Sequence, residues 1–317
     1  MSMPAGGKTP DVSVIVVNWN TGELLKNCLA SLRGTRGGPT CEIIVVDNAS
    51  TDGSVAMLRE CFPAARVIVN ETNRGFGAAN NQAFAVMRGR YALLLNTDAV
   101  VTEDAVRELF SFMESRPDAA MACGQLLNRD GTKQNSIAAF PTLFTLLFNM
   151  PVLEYLFPRR YPGKRYDYDR PLAVDSGVGA CLLVRRQAMD EVGWFDERYF
   201  FFMEETDWAY RMRRQGWKIY HVPSARIYHL QGQSIGPGVR SRIEFYRSRY
   251  QFFRKWHGLP YYALIRITIF LRLLVNWFFT SLAVIFTLGL SRRIRSKLHV
   301  YSSLILWHAG LRDDGKA

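Results

Sequence analysis

Tyr91-Ala92-Leu93-Leu94-Leu95, followed by Asn96-Thr97-Asp98, decides the fold. The first five residues form an unbroken apolar run of strand length, which reads as a strand buried on both faces. Its end sets one carboxylate, Asp98, at the lip of a sheet. In open α/β sheets, ligands bind just beyond the carboxyl ends of the strands. A carboxylate there can hold a hard divalent cation, which can in turn hold a diphosphate. The same triplet is also ordinary turn chemistry, since Asn and Asp are common loop formers. The flanking sequence has to separate the two.

Upstream, strand and helix patterns alternate. Val12–Val17 is a β run, and Gly22–Leu32 carries Leu24, Leu25, Cys28, Leu29 and Leu32 at helical spacing. Glu42–Val46 and Arg66–Val69 read as strands, Ser54–Cys61 and Gly77–Met87 as helices. Thr102 fits the N-cap of a helix through Ser115, with Glu103 and Asp104 in its first turn. Such alternation predicts an α/β fold with a mainly parallel central sheet. Beyond Asp118 the pattern changes: Met121–Leu127 and Val174–Arg185 are strand-like, and Ile137–Phe157 is apolar but broken by Pro141 and Pro151. Glu204–Gln215 is helical, and Lys218–Val222 and Ala225–His229 read as two short strands.

The strand ends are polar in concert. They carry Asn18-Trp19-Asn20, Asp47-Asn48, Asn73-Arg74-Gly75 and Asn96-Thr97-Asp98. One polar loop is ordinary; four on one sheet edge predict a polar ligand. Gly75-Phe76-Gly77-Ala78-Ala79-Asn80 is not a dinucleotide fingerprint, because Asn80 replaces the third Gly and no strand abuts the first. It reads as a loop whose glycines let backbone N–H groups and Arg74 approach a sugar or phosphate, or as a plain helix-entry turn. A second acidic cluster, Glu204-Glu205-Thr206-Asp207, follows the aromatic run Tyr199–Phe202. Acids suit a first helical turn, and Asp207 and Arg211 are spaced for an i,i+4 ion pair. One carboxylate desolvated by the aromatic wall would instead suit general-base work. His229 at a strand end is either structural or a partner for Asp98.

Five scattered cysteines without metal-type spacing predict reduced thiols, and the first ten residues, read as a flexible N-terminus, carry no apolar signal region. The net charge of +12 is concentrated at one end: Arg240 onward holds 14 Lys/Arg against three acids. Leu273–Ser291 is 19 residues without a charge, followed at once by Arg292, Arg293, Arg295 and Lys297. A basic tail with such apolar runs is a poor partner for nucleic acid and a good one for an anionic membrane surface. Interfacial or re-entrant helices and a true span both fit. The division expected is a sheet domain over 11–238 and a basic helical membrane-association region over 239–317, linked near Gln233–Gly238.

Taken in order, VSVIVVNWN (12–20), EIIVVDNASTDG (42–53), NRGFGAANN (73–81), NTD (96–98), GACLLVRR (179–186), GWFDE (193–197), EETDWAYRMRRQGW (204–217) and His229 resemble family 2 glycosyltransferases of the GT-A fold, with a rhamnosyltransferase-like flavour. The resemblance covers roughly residues 11–235. It implies an inverting transfer from a nucleotide-sugar donor, assisted by Mg2+ or Mn2+. Asn18, Asn20, Asp47, Asn48, Arg74, Gly75, Asn81, Asn96 and Asp98 fall at donor-contacting positions, Asp98 and His229 also at the metal, and Glu205 at the base. Gly179, Ala180, Trp194, Asp196, Glu204 and Asp207 fall on the acceptor side. Two departures stand out: Asn96 replaces the first acid of the DxD motif, and Glu205 replaces the usual Asp base. Tail and family together point to a polyprenyl-diphosphate-linked glycan acceptor at the cytoplasmic face of the inner membrane, with homo-oligomerisation left open. Rhamnose from dTDP-rhamnose is the donor expected. Hexose or N-acetylhexosamine on UDP, and a non-catalytic sugar-nucleotide-binding protein of the same fold, are the alternatives.

Overall fold

The computed structural model describes residues 9–35, 37–164, 169–230 and 238–311. Of the expected linker Gln233–Gly238 only Gly238 falls within them, and of the N-terminal segment only Thr9 and Pro10. The chain opens with β1 (Val12–Asn18), α1 (Gly22–Arg33), β2 (Cys41–Asp47), α2 (Ser54–Cys61), β3 (Arg66–Val69) and α3 (Phe76–Phe84). Next come β4 (Tyr91–Leu95), β5 (Ala99–Val101), α4 (Ala105–Ser115), β6 (Ala119–Leu127) and β7 (Ile137–Ala138). Then follow α5 (Leu143–Leu147), α6 (Met150–Leu156), β8 (Leu172–Val174), β9 (Ser176–Gly177), β10 (Cys181–Arg185) and α7 (Arg186–Val192). The described chain closes with α8 (Glu204–Arg214), β11 (Lys218–His229), α9 (Val239–Phe286) and α10 (Arg292–His308).

Nine strands make one sheet, in the order β3-β2-β1-β4-β10-β6-β11-β5 with β8 beside β11. The first four are mutually parallel and β6 runs parallel to β11, whereas β10 is antiparallel between β4 and β6. β7 and β9 form a separate antiparallel ribbon. Side-chain alternation divides the core. Val12, Val14 and Val16 of β1 join Leu25, Leu29 and Leu109 on one face, while Ile15 joins Phe84, Trp208 and Met212 on the other. Helices on both faces explain why β4 and β6 are buried along their whole length.

Three local expectations change. Val174–Arg185 is not one strand but β8, β9 and β10. A Cβ at Gly177 would lie 2.7 Å from Cys123 Cβ, so the chain bends where it crosses β6 closely. The two short strands at 218–229 are one, β11, whose register against β6 shifts between Val222 and Arg226, around Pro223. Thr102 caps no helix. Its hydroxyl donates to Arg226 O at 2.9 Å, α4 begins at Ala105, and the side chain is spent on closing β5 against β11.

The chain gathers into two compact units. Among the described residues, the sheet unit draws on those within 9–140, 150–200 and 204–230; the other on those within 141–149, 201–203 and 238–311. The second unit therefore recruits two segments from far upstream. Within it, α9 bends at Gly258 (φ 75°, ψ 175°), with Pro260 just beyond. Past the bend α9 packs antiparallel to α10: Arg266 donates to His308 O at 3.3 Å, and Trp277 Nε1 to Ser302 Oγ at 3.0 Å. Leu146, Ile269, Leu273 and Leu304 lie in its core. Leu264, Ile267, Leu271, Val275, Phe279 and Phe286 face outward. This helix is long and apolar enough to cross a membrane.

Candidate active site

All four polar strand ends fall on the edge of the sheet predicted for them. Parallel register sets Asn18 directly opposite Asp47. Both are wholly buried. Asn18 Nδ2 donates to Asp47 Oδ1 at 2.8 Å and to Ser50 Oγ at 3.0 Å, and Ser50 N donates to Asp47 Oδ2 at 2.9 Å. Asn20 takes a left-handed backbone (φ 52°), and its Oδ1 accepts from Thr51 N at 2.7 Å. These bonds lock the first two loops together and leave Trp19 exposed above them. Thr21 Oγ1 bridges to Asn18 Oδ1 and to Thr97 Oγ1, at 2.8 and 2.9 Å, which ties the pair to the Asn96–Asp98 turn.

Asp98 is 3 % exposed, and its Oδ1 is buried without a hydrogen-bond partner. The neighbour facing it is His229 Nε2 at 3.3 Å. The unforeseen strand β5 brings them together: its antiparallel pairing sets His229 opposite Ala99, and Leu230 N donates to Asp98 O at 2.9 Å. The sequence also gave no sign of Gln134. Gln134 Nε2 donates to His229 O at 2.6 Å and to Asn128 Oδ1 at 2.8 Å, so its Oε1 is the end facing His229 Nδ1 at 3.0 Å. Nδ1 is therefore the ring nitrogen that donates to Gln134, and Nε2 is the one that faces the carboxylate. With Asp98 Oδ1 buried and unpartnered and His229 Nε2 beside it, the donor set fits a divalent metal completed by ligand oxygens. Replacing Gln134 by Leu should weaken divalent-ion binding roughly 10–100-fold. Titration of Mn2+ by its paramagnetic effect would check this, and an unchanged affinity would remove Gln134 from the positioning role.

Glu205, in the first turn of α8, is half-buried. Desolvation raises its carboxyl above the ordinary range, opposed by hydrogen bonds from its own backbone N–H and that of Gly179. The neighbouring residue, Ala180, accepts from Asn96 N at 3.0 Å. Glu205 and the Asn96–Asp98 turn are thus both hung on the two residues that precede β10, a juxtaposition the sequence could not show.

The glycine loop is also held from within the protein. Gly75 (φ 81°) has no room for a Cβ, which would meet Phe200 O at 2.5 Å, and Phe76 N donates to that oxygen at 2.9 Å. The loop is clasped to the chain entering the Glu205 helix. Gly75→Ala should cost about 1–3 kcal/mol through both the strained φ and the clash; denaturant unfolding at an unchanged m-value would measure it. Asn48 Nδ2 donates to Gly75 O at 3.2 Å, and Arg74 is exposed at the loop's rim.

Other named residues serve as struts. Asn81 Oδ1 accepts from Phe195 N at 3.0 Å, and its Nδ2 donates to Phe195 O and Glu197 Oε1 at 3.0 and 2.9 Å. Asp207 is buried and pairs with Arg211 at 3.1 Å, the i,i+4 bridge foreseen. Arg211 in turn donates to Val192 O and Trp194 O, both at 2.5 Å, fixing the loop that exposes Trp194. Asp196 is held by Arg198 at 2.5 Å, and Glu204 is buried.

Comparison with known proteins is consistent with this geometry. Residues 13–193 match the family model described as Glycosyl transferase family 2. An N-acetylglucosaminyl-diphospho-decaprenol L-rhamnosyltransferase of Mycobacterium tuberculosis is 30% identical over 277 residues, covering 82% of this chain and 90% of that one. A low-salt glycan biosynthesis hexosyltransferase of Haloferax volcanii is 28% identical over 65% of this chain and 62% of its own length. A solved mannosyltransferase of Pyrobaculum calidifontis, in complex with GDP-Man and Mn2+, superposes with a TM-score of 0.59. It is 18% identical and covers 99% of this chain and 90% of that one, which shows the GT-A-like fold.

Proposed function

The chain belongs to glycosyl transferase family 2 and is a nucleotide-sugar glycosyltransferase, and from that premise we propose that it moves rhamnose from dTDP-rhamnose to a hydroxyl of a polyprenyl-diphosphate-linked glycan, with inversion. The observation that carries the catalytic part is the shared anchorage of Glu205 and Asn96–Asp98 on Gly179–Ala180. The sugar and the lipid-linked acceptor are supported by the mycobacterial relative, named as an L-rhamnosyltransferase acting on N-acetylglucosaminyl-diphospho-decaprenol.

In this reading the loops joined by Asn18, Asp47 and Ser50 seat the nucleotide. Glu205 takes the proton of the acceptor hydroxyl; its raised carboxyl makes it a stronger base than an exposed glutamate. The hydroxyl oxygen forms a bond to C1 of the sugar as the C1–O bond to the diphosphate breaks on the opposite face. The electron pair leaves with the nucleoside diphosphate. Asp98 and His229 would hold a divalent cation, Mg2+ or Mn2+, which supplies charge neutralisation for that leaving group. Trp194 and Gly179 lie on the side from which the acceptor enters. The outward-facing apolar residues of α9 would hold the enzyme on the cytoplasmic leaflet.

A thermal-shift panel of nucleotide sugars with Mg2+, Mn2+ or chelator tests this. The largest stabilisation is expected from dTDP-rhamnose with metal. Stronger stabilisation and turnover with a uridine diphosphate hexose would replace rhamnose as the donor.

A further inference from the structure

The second unit contains a cavity lined by none of the residues of the candidate active site. It measures 280 Å3 and lies between α9 and α10, with Arg247, Arg254 and Arg266 in its wall beside Tyr250, Tyr262 and Trp307. Glu244 is the only carboxylate in the chain from Gly238 to Leu311, against twelve Lys/Arg. It is already committed to Arg247. Among the described residues, neither Arg254 nor Arg266 has a carboxylate partner, and Arg266 merely donates to His308 O at 3.3 Å. Half-buried Gln251 also lines the cavity. Two uncompensated guanidinium groups against aromatic walls make a site for a compact, multiply charged anion, which the forked donors of arginine match in shape.

The surroundings specify what the anion is attached to. Leu264, Ile267 and Leu271 flank Arg266 along α9 and are exposed, and Leu306 is exposed next to Trp307 on α10. A free phosphate has no use for such a surface; an alkyl or prenyl chain does. The geometry points to a lipid-phosphate site: the cavity holds the phosphate or diphosphate of a membrane lipid, with its hydrocarbon tail along the outer face of α9. This deepens the acceptor part of the proposed function, by giving the lipid carrier's diphosphate a seat on the helical unit. The chemistry is shared by the headgroup of an anionic phospholipid.

Full-length protein in phosphatidylcholine nanodiscs, titrated calorimetrically with farnesyl diphosphate, tests the site. Wild type should bind, and Arg254→Gln with Arg266→Gln should weaken binding on the order of tenfold or more. Arg254→Lys with Arg266→Lys keeps the charge and should fall between. Arg292→Gln with Arg293→Gln, which alters exposed cations that do not line the cavity, should leave binding within about twofold. An equal loss in that last variant would mean diffuse surface charge and overturn the site. So would inorganic diphosphate binding as tightly as the prenyl compound. Competition by phosphatidylglycerol doped into the nanodisc would keep the site and assign it to headgroups; indifference would assign it to the carrier. Donor binding serves as the check on folding. If the Arg254/Arg266 variants bind farnesyl diphosphate normally and transfer sugar at wild-type KM, this inference fails while the transferase reading stands. If no donor is turned over by any preparation yet arginine-dependent lipid binding persists, the transferase reading fails alone.

Discussion

Glu205→Gln should abolish transfer, by about 10²–10⁴-fold in kcat, while the donor still binds and the fold becomes more stable at neutral pH. The two effects have one cause. Burial raises the Glu205 carboxyl above its usual value, so the folded state binds this proton more tightly than the unfolded state. The sign follows from linkage. Stability associated with the protonated form is fully present below the unfolded glutamate value, about 4.3, and is lost as pH rises through the folded value. As pH rises above the unfolded value the buried carboxyl costs the fold stability, which an isosteric amide relieves. The pH dependence of kcat should rise with deprotonation of Glu205, and that limb should vanish in the Gln variant. Thermal melts and single-turnover assays on the same preparations would check both. Full activity in the variant would take the base role from Glu205. A lowered melting temperature would mean that its carboxylate is a structural hydrogen-bond acceptor for Gly179 first.

Asp98→Asn should remove metal-dependent stabilisation by the donor and lower kcat/KM by about 10²–10⁴-fold, whereas His229→Ala should retain more activity. Asp98 contributes the only carboxylate of the Asn96-Thr97-Asp98 turn, and its Oδ1 is the buried oxygen left without a donor. An asparagine amide there would offer the cation a neutral oxygen, or turn its nitrogen toward His229 Nε2 and fill the gap itself. The readout is the difference between the thermal shift with Mn2+ and with chelator, in the presence of nucleoside diphosphate. If that difference persists in Asp98→Asn, the metal is not held here.

Much of this site was legible in the chain, and for identifiable reasons. Val12–Asn18, Cys41–Asp47 and Tyr91–Leu95 are short, apolar and bounded by polar turns, so the sheet and its functional edge follow from local pattern alone. What escaped was non-local. Ala99-Val100-Val101 is too short to read as a strand, yet its pairing with β11 is what delivers His229 to Asp98. Gln134 lies in a polar turn without periodicity and acquires its role only from the imidazole that folds against it. Gly75 was read for its backbone freedom toward a ligand; the space its missing side chain leaves is filled from within the protein, by Phe200. The segments 141–149 and 201–203 carry no hint in their sequence that they pack with helices more than thirty residues downstream.

The strand β10 runs against its neighbours and begins just after the two residues that hold both the Asn96–Asp98 turn and Glu205. It works as a gauge block. In the reading proposed above, the excursion between β7 and β9, which holds neither Gln134 nor Gly179–Ala180, can change in length or character to suit another acceptor, while the separation of the two carboxylates stays set by the backbone beyond it. Variation in what is glycosylated can then accumulate on one side of that block without recalibrating the chemistry on the other.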